Sequence, residues 1–79
     1  MSITFSEYAS VAIIYGIINA TNYIMYLFGN GYLIPIKTIN NVNVSLSSDY
    51  KTITIANNYT TSTLWVGVLN TFNVDMTIN

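Results

Sequence analysis

A chain of 79 residues with no cysteine, no histidine and a net charge of −1 makes one small domain that neither a disulfide nor a histidine-bearing metal centre can staple. Charged side chains are 6% of the chain and hydrophobic ones 52%, whereas a soluble domain keeps about a quarter of its residues charged; much of this surface is therefore expected to meet other protein or lipid. Two lysines without an arginine exclude nucleic acid as a partner, because each phosphate contact calls for a cation.

The first seven residues, Met1 to Glu7, have no basic segment, so no secretory signal is expected. Between Glu7 and Lys37 there is no formal charge, and the pattern over residues 6–28 predicts one long hydrophobic helix. Ser6 suits an N-cap, Glu7 the first turn and Gly29 a left-handed stop. At ~100° per residue, Tyr8, Ala12, Tyr15, Asn19, Asn22, Tyr23 and Tyr26 share one stripe, with isoleucines over most of the rest. Ala12, Gly16 and Ala20 fall four apart, a spacing that lets two helix backbones approach closely. The expected helix-packing interface is therefore Ala12, Tyr15, Gly16, Asn19, Ala20, Asn22 and Tyr26. At ~1.5 Å per residue such a helix reaches roughly 35 Å, enough to cross a bilayer core. The two asparagines would then have to be hidden in a bundle.

After Gly29-Asn30-Gly31, read as the helix stop, the period changes to two. Residues 42–47, 52–55 and 72–78 alternate apolar with polar. Residues 64–69 are apolar on both faces, as a strand covered from both sides would be. Residues 33–39 offer one more strand, with Pro35 placing it on an edge. The predicted fold class is α+β: a hydrophobic anchor helix in residues 1–31, then a four- to five-stranded antiparallel meander in residues 32–79. Its last strand carries one charge, and Phe72, Val74, Asp75, Met76 and Ile78 are expected to form an interface at an open strand edge.

No catalytic constellation is visible. The serines lack a histidine, and Glu7, Asp49 and Asp75 lie in different elements. No cofactor, metal or small-molecule substrate is expected. Of three Asn-x-Ser/Thr sequons, at Asn19, Asn43 and Asn58, only Asn58 lies in a long predicted loop that suits glycosylation. Trp65 reads as a core residue of a central strand, with an interface anchor as the alternative. Tyr32, Tyr50 and Tyr59 could together make a sugar-stacking patch.

Phe5-Ser6-Glu7 followed by Val11-Ala12-Ile13-Ile14-Tyr15-Gly16-Ile17-Ile18 resembles the start of a type IV pilin over residues 5–18, without the basic leader and glycine of that family. The resemblance implies a filament in which Glu7 pairs with a neighbouring subunit's N-terminus. The abundance of Ile, Tyr, Asn and Thr in place of charge is similar to small virion proteins of archaeal viruses from hot acid and to phage structural proteins. Contacts that do not rely on carboxylates persist when acid neutralises them. These features together point to a non-enzymatic structural subunit, a minor capsid, vertex or coat protein of a virus. It would sit on a virion or cell surface with protein partners and a lipid membrane as a further contact. The alternatives are a pilin-like filament subunit and a small oligomerising membrane protein.

Overall fold

The computed structural model describes residues 1–7, 11–70 and 75–79. These residues are all-β, with β1 (Ser2–Phe5), β2 (Val11–Asn19), β3 (Asn22–Gly29), β4 (Tyr32–Lys37), β5 (Val42–Leu46), β6 (Thr52–Asn57), β7 (Trp65–Asn70) and β8 (Met76–Ile78). They make two four-stranded antiparallel sheets, ordered β5-β6-β1-β8 and β4-β3-β2-β7.

The expected N-terminal helix is absent. Its span is a β-hairpin, with β2 against β3 from Val11↔Gly29 to Asn19↔Asn22. The reason is chemical: Ile, Val, Tyr and Phe fit a pleated surface better than a helix. The two asparagines of the supposed stripe flank the turn. The Asn19 side-chain oxygen accepts hydrogen bonds from the Thr21 and Asn22 backbone N–H groups, each at 3.0 Å, and so closes the loop as an Asx turn. The expected helix stop is the second turn of the same meander. Asn30 and Gly31 both have positive φ, 48° and 81°, the signature of a type I′ hairpin turn. The α+β class is thus corrected to all-β, and the boundary at residue 31 falls inside the β3–β4 hairpin. Among the described residues no helix is long and apolar enough to cross a membrane, so the hydrophobic-helix anchor is withdrawn.

Alternation along each strand decides what the sandwich buries. The first sheet sends Ile3 and Phe5 from β1, Ile53 and Ile55 from β6 and Val42 from β5 inward, against Ala12 and Ile14 from β2 and Ile24, Tyr26 and Phe28 from β3. The Phe5 and Phe28 rings stack across the two sheets, with centroids 5.1 Å apart and planes 20° from parallel. The chain termini close the first sheet: Ser2 N–H donates to the Asn79 carbonyl at 2.7 Å, and Asn79 N–H returns the bond at 2.8 Å. A core of this size leaves a stability of roughly 4–12 kcal/mol for the whole domain. Phe28→Ala should cost about 3–5 kcal/mol and bring the chain close to unfolding. Chemical denaturation followed by circular dichroism checks this, and a variant that melts like the parent would show that the stacked pair is not the centre of the core.

Candidate functional site

The two outer faces of the sandwich differ in chemistry. On the β5-β6-β1-β8 sheet, the outward positions carry Ser2 and Thr4, Asn43 and Ser45, Thr52 and Thr54, and Thr77. The Thr4 and Thr52 hydroxyls meet at 3.1 Å. This is the ordinary polar side of an antiparallel sheet, with hydroxyls and amides doing what charges do elsewhere.

The outer face of the β4-β3-β2-β7 sheet has almost no polar side chain. Its cross-strand rows follow from the pairing. Trp65, Ile17 and Tyr23 form one; Gly67, Tyr15, Met25 and, at its β4 end, Lys37 the next; Leu69, Ile13, Leu27 and Ile34 the third. Trp65 is 70% exposed, Tyr15 47% and Ile17 46%; Tyr23, Met25, Leu27, Ile34 and Leu69 are also exposed. The charge carried by this face is Lys37, whose ammonium lies 5.5 Å from the Tyr23 ring centroid, a distance suited to a cation–π contact. Opposite Tyr15 stands Gly67, and a Cβ at Gly67 would run into the Tyr15 ring. The glycine therefore lets that ring lie flat across the neighbouring strand. Between β2 and β3 the surface sinks into a depression of ≈ 360 Å³ lined by Tyr15, Gly16, Ile17, Tyr23, Ile24 and Met25.

A fully open aromatic side chain presents roughly 150–250 Å², and the aliphatic ones on this face somewhat less. With about two-fifths to two-thirds of each exposed, the face offers on the order of 800 Å² of apolar surface, above the ~300–600 Å² of the largest patch on a typical monomer. This face is the candidate functional site.

The residues expected to share a helix interface are divided by the sheet. Ala12, Gly16 and Tyr26 point inward and are buried, and Gly16 is small because Ile24 and Leu64 side-chain atoms would stand 3.1 Å from its Cβ. Tyr15 points outward, and Asn19, Ala20 and Asn22 belong to the hairpin turn. Trp65 is corrected from core to surface. The expected edge interface falls partly outside the described residues, which do not include Phe72 and Val74. Asp75 precedes β8 and its carbonyl accepts the Ser6 N–H at 2.9 Å. Met76 and Ile78 are in β8, a strand of three residues. Tyr32 and Tyr50 both line a notch of ≈ 240 Å³ beside Asn30 and Gly31, while Tyr59 packs against the core. Among the described residues no cluster of acidic side chains could hold a metal ion. No protein-family model matches the chain, and no curated protein or solved structure matches it either.

Asp49 is a turn residue. It accepts hydrogen bonds from the Ser47 hydroxyl and from the Lys51 N–H. The Ser47 bond first, then the Lys51 bond, holds its carboxyl below the ordinary value of 3.8. The charged form is the one stabilised by folding, so its contribution is complete above about pH 4 and fades as pH falls through the lowered folded value. The stability difference between the parent chain and Asp49→Asn, measured by thermal melting across pH, should be positive near neutrality and vanish in strong acid. A difference that stays constant down the series would separate the turn from the ionised carboxylate.

Proposed function

We propose that this chain is a non-enzymatic structural subunit of a larger assembly, joined to other protein subunits through the outer face of its β4-β3-β2-β7 sheet. The observation that carries the reading is the contrast between the two outer faces. One is lined with threonine, serine and asparagine; the other sets tryptophan, tyrosine, isoleucine, leucine and methionine in unbroken rows. Aromatic residues and methionine at the centre of a patch, with charge kept to its margin, is the composition of an interface core. A small domain also gains stability from a partner that covers apolar surface. The filament and membrane alternatives both needed an N-terminal helix and are not carried forward. No feature of the two faces is particular to a virion or a capsid, and the assembly is left unspecified beyond its protein subunits.

Replacing Leu27 by lysine puts a charge in the middle of the face, at a position open to water in the isolated domain. Its own fold should lose about 1 kcal/mol, from the cross-strand packing with Ile13 and Ile34, while association should fall sharply because the charge would be buried unpaired. Thr54→Lys, on the opposite face, is the control. In size fractionation of material from the natural source, the parent and Thr54→Lys should travel above the mass of one chain and Leu27→Lys should travel as a single chain. Leu27→Lys staying in the assembly, or Thr54→Lys leaving it, would reverse the assignment of faces.

A further inference from the structure

We propose that the partner covering this face is a second copy of the same chain, packed sheet against sheet about a two-fold axis, with Trp65 of each copy seated in the depression between β2 and β3 of the other. The inference rests on the assembly reading above and specifies its partner. Three observations lead to it.

The first is area. A stable specific interface takes about 800 Å² from each partner, which is what the face offers. Two such sheets stack at about 10 Å with their strands rotated by roughly 30°, so flat apolar rows from two copies can interdigitate as the two sheets inside the sandwich do.

The second is that knob and hole lie on one surface. Trp65 stands 70% exposed at the end of its row, and beside it, across Ile17, the sheet sinks into the ≈ 360 Å³ depression. That volume falls within the range of about 300–1,000 Å³ of pockets that hold small organic groups. A surface carrying both a projection and a recess that fits it is self-complementary. Rotation by half a turn about an axis between them inserts both tryptophans at once and closes the pair. The lining of the recess is apolar, and the Tyr15 hydroxyl lies away from it, over Gly67.

The third is charge. A heterologous partner of opposite charge would be matched by a charged patch here, and the face has only Lys37, drawn over the Tyr23 ring. Lys37 ends the edge strand β4, so two copies can meet without bringing like charges to the centre of the contact.

Trp65 is the single tryptophan of the chain, and its fluorescence therefore reports the surroundings of that one side chain. Sedimentation equilibrium and tryptophan emission are to be measured on the full chain over one concentration series, with Trp65→Ala, Trp65→Phe and Thr54→Lys alongside. The expected result is a monomer–dimer equilibrium with a blue shift that follows the dimer fraction. Dimerisation should weaken at least tenfold in Trp65→Ala, less in Trp65→Phe and not at all in Thr54→Lys. A chain that stays monomeric overturns the proposal, as does a dimer whose emission does not move, or growth past the dimer into open polymers. A monomer that blue-shifts only on adding vesicles of neutral phosphatidylcholine overturns it too, in favour of a lipid occupant. None of these results removes the assembly reading, which is decided by where Leu27→Lys travels.

Discussion

The central strands of one sheet, β2 and β3, are apolar on both faces, and a sheet of that kind must be covered twice. The β5-β6-β1-β8 sheet supplies one cover and makes the core with it, through Ile14, Ile24 and Phe28 against Ile3, Phe5 and Ile53. The chain has no further element among its described residues to place on the other side. Every other unusual feature follows from this. Charge is scarce because the outer rows leave no room for it. Gly67 is a glycine because the Tyr15 ring lies over it. The hydrophobic content is high for a domain of this length because the residues of two interfaces, one internal and one external, are drawn from the same short strands.

The opposite sheet shows how the fold meets water without charges. Its outward hydroxyls and amides hydrate well, and its turns are closed by local side-chain bonds: Asp49 to Ser47 and Lys51, and Asn57 to the Tyr59 N–H at 3.1 Å. The edges are unequal. β4 has Pro35, Lys37 and an irregular register between Met25 and Tyr26, devices that discourage further strand pairing. β7 has no charge and no proline, and the residues along it that project outward are Trp65, Gly67 and Leu69. One edge of the apolar sheet is guarded, and the other continues the apolar surface.

The hairpins and strands of residues 42–57 were legible in the sequence because one of their faces is polar, which leaves the period of two in view. Val42, Val44, Ile53 and Ile55 alternate with Asn43, Ser45 and Thr54, and the structure pairs them as β5 and β6. Residues 11–29 hid their period for the physical reason that matters most here. With isoleucine and tyrosine pointing both ways, alternation disappears, and a helical stripe can be drawn through what remains. Two signals there could have been read. Asn30-Gly31 between apolar runs is a strong hairpin mark, and Asn19-Ala20-Thr21-Asn22 is a turn by composition. The same continuity that obscured the fold marks the site. Residues 64–69 read in sequence as a strand covered from both sides, which is the outcome proposed for β7 once a partner is present, although Trp65 itself lies on the outer face and not in the core.

Covering of the outer β4-β3-β2-β7 face in the working state is the central claim, and hydroxyl-radical footprinting read by mass spectrometry tests it most directly. Trp65, Tyr15 and Met25 are oxidisable and lie on that face, and Tyr50, exposed in the β5–β6 turn, serves as the internal reference. On passing from dilute, dissociated chain to assembled material, oxidation of Trp65, Tyr15 and Met25 should fall together while Tyr50 keeps its reactivity. Equal oxidation of all four in both states would mean that the face stays open to water, and the account built on its burial would be wrong.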